Sequence, residues 1–356
     1  MWMIWLVAIP ALAAAIRPGV WGAKEAAGLP LPVADFQAYL VGELHGVERN
    51  APFQLHYLER LHAAAGVRDV AIEEDSVYER AAQRFVDGET NEMPRELCLR
   101  ADVLRGVREL NGRLAPKDRI RIHLVDVDSP AEAIHRHLRI LREEWTADDV
   151  RLPALEQIKR RGLGTVEKLK RRAPGPEGLG ELRTIELSIR ALQAGLEVKV
   201  GVPKGSTYLE SREEAIAANL AGLVERYSKV LAFYGSDHIS RTMRKDGGPK
   251  RNQPFKPMAL RLQEREIRTY SLLTIPLQAE VQWRGQRMEM PWTAANGSLS
   301  TGETFDKLLA ADPGSDLFFV DRKQEPARMV TTDMARFEVD GYVLFRSSGP
   351  MRDSCR

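Results

Sequence analysis

Hydrophobic residues follow two rhythms after residue 35, and the switches between them lay out the elements. Short apolar runs read as strands: "AYLVGE", "RDVAIEED", "RIRIHLVDVD", "KVLAFYGSDH", and later "IRTYSLLTI", "DLFFVD" and "GYVLFRS". Between them apolar residues recur three and four apart, the spacing of a helix that buries one face. In "APFQLHYLERLHAAAG", Phe53, Leu55, Leu58 and Leu61 lead to a glycine stop at Gly66. Ser76 is the expected N-cap of the helix in "SVYERAAQRFVDG", Ser129-Pro130 opens "AEAIHRHLRILREEW", and Ser211 with Glu214 fits a capping box before "AIAANLAGLVERY". "RELCLRADVLRGVRELNGRL" reads as one more helix, and "AEVQWRGQRMEM" as a strand-rich excursion. This alternation predicts an α/β fold, a mostly parallel central sheet flanked by helices. The stretch 147–205 offers no strand, only basic, glycine-broken helical pattern, and reads as a helical insertion between two related halves. Its Lys and Arg clusters read as the solvated faces of those helices, or else as a surface that attracts an anionic substrate.

The first residues break the rhythm. "MWMIWLVAIPALAAAIRPG" is apolar from Trp2 to Ile16, with small residues at Ala11, Ala13 and Ala15. It reads as a signal peptide within 1–23 ahead of a single α/β domain, 24–356, and predicts a secreted or periplasmic protein. The run is short for a membrane span and Pro10 interrupts it, so no stable membrane insertion is expected once it is removed. A net charge of +2 argues against a nucleic-acid partner, which would draw a strong basic excess onto one face. Cys98 and Cys355 could pair in an oxidising compartment, but two thiols so far apart do not make a thiolate zinc site.

Chemistry concentrates at strand ends. Gly42 to His45 and Gly235 to His238 both read GxxH directly after an apolar strand. In an open parallel sheet the carboxyl ends of the strands face the ligand crevice, and glycine lets the chain turn there without a side chain. His45 and His238 are therefore expected opposite one another. Acidic ends gather beside them: Glu43, Glu73, Glu74, Asp126 and Asp128. Buried carboxylates need partners, and Arg212 and Arg241 are the candidate cations. Taken singly, each acid is accounted for by capping a helix and each histidine by a structural hydrogen bond. Two GxxH ends with acidic neighbours share no such need. His56, His62, His123, His135 and His137 are expected to be structural or surface groups. The chain has no HExxH, GxSxG or phosphate-cradling glycine loop, which disfavours zincin, serine-hydrolase and nucleotide-binding readings.

These residues resemble the superfamily that joins erythromycin esterase-like proteins, ChaN-like haem-binding lipoproteins and TraB/TIKI proteins. "LVGELHG" is similar to its first motif, placing Glu43 and His45, and "FYGSDHIS" to its second, placing His238. "AIEED" resembles its glutamate strand end at Glu73, "LVDVDSPAEAI" its aspartate strand end at Asp126, and "SREEAIAANL" its arginine-to-asparagine helix at Arg212 and Asn219. Macrolide esterases carry one more residue between the first glutamate and histidine, and a second histidine where this chain has Gly235. That spacing stands nearer the ChaN-like and TraB/TIKI branches, although the lipoprotein cysteine is missing. The resemblance implies a hydrolase of an ester or amide, acting on a small molecule or a peptide. His45 would be the general base, Glu43 or Glu73 its orienting group, and His238 with Arg212 or Arg241 the groups that polarise the carbonyl. A variant places zinc or manganese on His45, His238 and Glu73. The alternative is a non-catalytic haem- or metal-binding protein of the ChaN-like type.

Overall fold

A strand buried on both faces is apolar along nearly all its length, and Ala38–Glu43 and Val230–Gly235 are buried at every position, with Glu43 at the end of the first as the one charged residue. In the computed structural model, which describes residues 14–127, 131–193, 206–245, 254–276, 279–283, 286–289, 297–330 and 336–351, these two strands lie side by side near the middle of a nine-stranded sheet. In chain order its strands are β1 (Ala14–Arg17), β2 (Val20–Ala23), β3 (Ala38–Glu43), β4 (Asp69–Asp75), β5 (Arg121–Asp126), β6 (Val230–Gly235), β7 (Thr269–Pro276), β8 (Leu317–Asp321) and β9 (Gly341–Phe345). In space they run β1-β2-β8-β9-β7-β3-β6-β4-β5. The block from β9 to β5 is parallel throughout, and β8, β2 and β1 extend it through antiparallel pairs. The sheet is therefore mixed and mostly parallel. The two GxxH strands are neighbours within it, so no relation between two halves is needed to bring their ends together.

Alternate residues of each central strand feed opposite cores, as the pleat requires. Tyr39 and Val41 of β3 pack with α1 (Asn50–Ala65), α2 (Glu79–Val86) and α3 (Ala101–Arg113) through Leu58, Phe85 and Leu104. Ala38 and Leu40 face the other way and pack with α7 (Ser206–Tyr227), α8 (Met258–Glu264) and α9 (Phe305–Ala311) through Leu220, Met258 and Phe305. A third cluster holds α4 (Ala131–Glu144), α5 (Ile158–Lys170) and α6 (Gly175–Gln193) together through Leu138, Leu141, Val166, Leu182 and Ile189. The described part of the 147–205 stretch thus builds a helical core of its own. At the open edge, side chains stand in for a missing strand beside β5. Asn111 exchanges two hydrogen bonds with the Ile120 backbone, while Gln83 and Glu79 accept from Ile122 N and Leu124 N at 2.7 and 2.8 Å. That blunts an edge that would otherwise pair with another chain.

Several local expectations shift. Asp75 rather than Ser76 caps the turn after β4, accepting from Val77 N at 3.1 Å. The helix expected to open at Ser211 begins at Ser206, so Glu214 is no capping residue and instead pairs with Arg261 and Arg265. "RELCLR" forms a 3-10 turn, Arg95–Arg100, ahead of α3. Asp128 and Ser129-Pro130 lie outside the described residues, as do residues 1–13 of the expected leader. Residues 14–23 form the β1–β2 hairpin, whose Val20 is fully buried. A leader boundary at residue 23 would therefore remove two strands of the sheet. Among the described residues no helix is long and apolar enough to cross a membrane.

Candidate active site

Parallel register sets Glu43 opposite Gly235, so both GxxH turns leave the sheet at the same end. Their glycines serve space rather than unusual backbone angles. Gly235 has φ −58°, open to any residue, but a Cβ on it would sit 3.0 Å from His45 Nε2 and 3.4 Å from Glu73 Oε2. A Cβ on Gly42 would run into Ile239 at 2.5 Å. The turn after His45 does need glycine for its angles, since Gly46 has φ +81°.

His45 Nδ1 lies 2.8 Å from Glu43 Oε1. The buried Glu43 also accepts from Arg100 on the same oxygen and from Gln54 Nε2 at 2.5 Å on the other. Burial works to raise the Glu43 carboxyl, but Arg100 and His45 outweigh it and hold it at about 2. Burial likewise opposes the charge of Arg100, yet Glu43 and Glu74 raise it above its usual range. An ionised Glu43 can only accept, so the Nδ1–H of His45 donates to it, which assigns the tautomer and puts the ring's lone pair on Nε2. The His45 side chain is 30 % exposed and faces a cavity of about 190 Å³, whose charged lining is Glu43, Glu73, Glu74, Asp126, Arg100 and Arg212 beside apolar groups such as Val103 and Met351.

Behind this cavity lies a second, drier layer. His238 is only 8 % exposed and is clamped between Glu213 Oε1 at 2.5 Å and Glu73 Oε1 at 3.0 Å. Burial disfavours the charged ring, but Glu213 and Glu73 raise its pKa well above the usual histidine range. Arg212 reaches Glu73 at 2.6 Å and grips Asp126 with two hydrogen bonds of 3.0 and 2.5 Å. Glu73 Oε2 accepts from Gly235 N at 2.6 Å and lies 3.7 Å from His45 Nε2. Against burial, His238 and Arg212 hold Glu73 well below the ordinary carboxylate range.

The expected residues are thus brought together at Glu73, with two corrections. His238 does not share the wet cavity with His45, because the 3-10 turn Ser236–Ile239 carries it inward under β6. Arg241 is not at the site. It pairs with Asp340 and donates to the carbonyl of Thr269, at the opposite, amino end of β7. The proposed metal set is not arranged for a metal either: among the described residues no group of three His, Cys, Asp or Glu side chains could hold one, and the Arg212 guanidinium lies against both Glu73 and the His238 ring. Haem fits no better, as one accessible imidazole stands in a cavity smaller than the ~300 Å³ at which cofactor pockets begin. Three residues were missing from the sequence reading: Arg100, Gln54 and Glu213. Only Glu213 carried a signal, its place beside Arg212. A larger hollow of about 900 Å³ runs along the outer edge of β5 between α2, α6 and α7. Of the residues that the resemblance picked out it contains only Asn219, which donates to the Val125 carbonyl at 2.9 Å, and its ionisable groups are largely spent on one another, as in Glu181 with Arg80 and His137.

The mixed, mostly parallel nine-stranded sheet flanked by helices is an erythromycin esterase-like fold. Neither a protein-family model nor a curated relative matches the chain, so the likeness rests on solved structures. A succinoglycan biosynthesis protein superposes with a TM-score of 0.64 at 14% identity, covering 94% of this chain and 95% of its own. A Bacillus cereus protein gives 0.62 at 15% over 90% of each chain. The erythromycin esterase EreC, solved as a histidine-to-asparagine mutant in its open conformation, gives 0.62 at 13% over 90% of this chain and 92% of its own. The likeness is one of fold, and it gives no support to ranking the chain nearer the ChaN-like and TraB/TIKI branches.

Proposed function

We propose that this protein hydrolyses an ester or amide by activating a water with His45. The observation that carries the reading is the contrast between the two histidines: one is buried and locked in ion pairs, the other opens onto the cavity with a carboxylate behind it. Glu43 accepts the hydrogen bond of the Nδ1–H, so Nε2 takes the proton of the attacking water, and Glu43 and Glu73 together stabilise the imidazolium that forms. Arg212, held by Asp126 and Glu73 at the cavity wall, is the cation placed to meet the developing oxyanion. His238 acts at one remove, fixing Glu73. A panel of esters and short peptides tests this directly. His45→Gln should lower kcat/KM on the best substrate by ~10²–10⁴, and chelator should leave the parent rate unchanged. Equal turnover by parent and variant would remove the reading.

We also infer export. Cys98 is disulfide-bonded, a state that persists in oxidising compartments. A thiol titration of native protein that finds free cysteine would count against it.

A further inference from the structure

Four carboxylates line the His45 cavity, and three are fully engaged. Glu43 is held by His45, Arg100 and Gln54, Glu73 by Arg212, His238 and Gly235 N, and Asp126 by Arg212 twice and by Val127 N at 2.7 Å. Glu74 differs. Its sole hydrogen bond among the described residues is a long one, from Arg100 Nε to Oε1 at 3.3 Å, and Oε2 has none. The side chain is 21 % exposed and lines the same cavity as His45. Adjacent residues of a regular strand point to opposite faces, but a register shift between Ile72 and Asp75 breaks the pairing of β4 with β5. This irregularity lets Glu73 and Glu74 line one cavity. Arg100 joins the two sides of the cavity, touching Glu74 through Nε while its Nη2 lies 3.5 Å from His45 Nδ1.

We propose that Glu74 is the proton donor of the reaction, handing its carboxyl proton to the departing oxygen or nitrogen while His45 takes one from water. The step rests on the hydrolytic reading above. Burial pushes the Glu74 carboxyl up to about 7; Arg100 and His45 pull against that, and Glu73 and Asp126 reinforce it. A carboxyl poised there holds its proton on the acid side of neutrality and gives it up readily. Water loses a proton to His45 Nε2 as its oxygen bonds to the carbonyl carbon. Collapse of the tetrahedral species then breaks the carbon–oxygen or carbon–nitrogen bond, and the electron pair leaves with the departing atom, which takes the Glu74 proton. The His45 imidazolium returns its proton to the Glu74 carboxylate through cavity water, so the net change is one water consumed.

Two esters of one acid separate this role from a structural one. An alkyl ester needs its leaving oxygen protonated, whereas a p-nitrophenyl ester departs as a stabilised anion. Glu74→Gln keeps the size and the acceptor for Arg100 but has no proton to give. It should lose ~100-fold or more in kcat on the alkyl ester, less than about tenfold on the aryl ester, and the decline of the parent rate as pH rises through about 7 should vanish. Equal losses on both esters, or a decline that survives in the variant, would overturn the assignment. Loss of activity in His45→Gln together with full activity in Glu74→Gln would end this proposal and spare the hydrolase. A parent that opens neither ester would end both.

Discussion

Replacing Glu74 by glutamine should stabilise the protein by an amount that grows with pH. An acid whose folded pKa is raised contributes stability below its unfolded value and loses it as pH climbs through the folded one. For Glu74 that window runs from 4.5 to about 7. A shift of about 2.5 units at ~1.36 kcal/mol each gives a penalty of about 3 kcal/mol in the parent at pH 8, absent at pH 4.5 and absent from the glutamine variant throughout. The side chain is 21 % exposed, so solvent screening removes little of it. Urea denaturation of both proteins at pH 5, 6, 7 and 8 measures the difference. The lower limit keeps the assay clear of Glu43, which works in the opposite sense: its stabilisation is complete above 4.5 and lost as pH falls toward about 2. A stability difference between parent and variant that stays the same from pH 5 to pH 8 would refute the claim that burial keeps this carboxyl protonated.

Two further substitutions probe the supports of the cavity. Arg100→Met removes a buried cation from Glu43 and should cost about 3–5 kcal/mol in denaturant unfolding; adding Glu74→Gln should not restore it, because Glu43 is the charge left bare, and a full rescue would contradict that. Gly235→Ala leaves the backbone unstrained but sets a methyl 3.0 Å from His45 Nε2. It should lower kcat/KM about 10–100-fold with little change in denaturation midpoint, and an unimpaired enzyme would show that the space at Gly235 does not set the position of the His45 ring.

The sheet was legible because its central strands are short, apolar and separated by helical spacing, a pattern that suits a doubly covered, mostly parallel sheet. Register then followed, since parallel neighbours leave the sheet at one end, and the GxxH turns met as expected. Depth was not legible. The same four-letter pattern sends His45 to the cavity and His238 inward, because after Gly235 the chain coils into a 3-10 turn and packs Ile239 against Gly42. Arg241, three residues on, is then carried down the sheet toward Asp340. Arg100 left no trace in the sequence either, since it reaches Glu43 from a turn 57 residues further along the chain. Glu74 was visible as an acidic strand end, but the irregularity that brings it beside Glu73 depends on how β4 pairs with β5 and has no local signature.

Charge counting around the cavity ties these residues into one device. Arg100, Arg212 and the His238 imidazolium face Glu43, Glu73, Asp126 and Glu74, with Glu213 behind His238 taking part of that charge. Too few cations remain for every carboxylate, and a buried carboxyl without a full partner keeps its proton. Glu74, with the weakest contacts, is the one that does. Turnover changes the count. When His45 accepts a proton from water the cavity gains a positive charge, and His45 acts on Glu74 in the sense that lowers its pKa. The base therefore makes the acid stronger at the step when the leaving group needs a proton. If this coupling operates, His45→Gln should raise the Glu74 titration relative to a parent whose His45 is protonated, and infrared spectra of the protonated carboxyl across pH 5 to 9 would show it. A band that titrates identically in both proteins would mean that the two groups act independently.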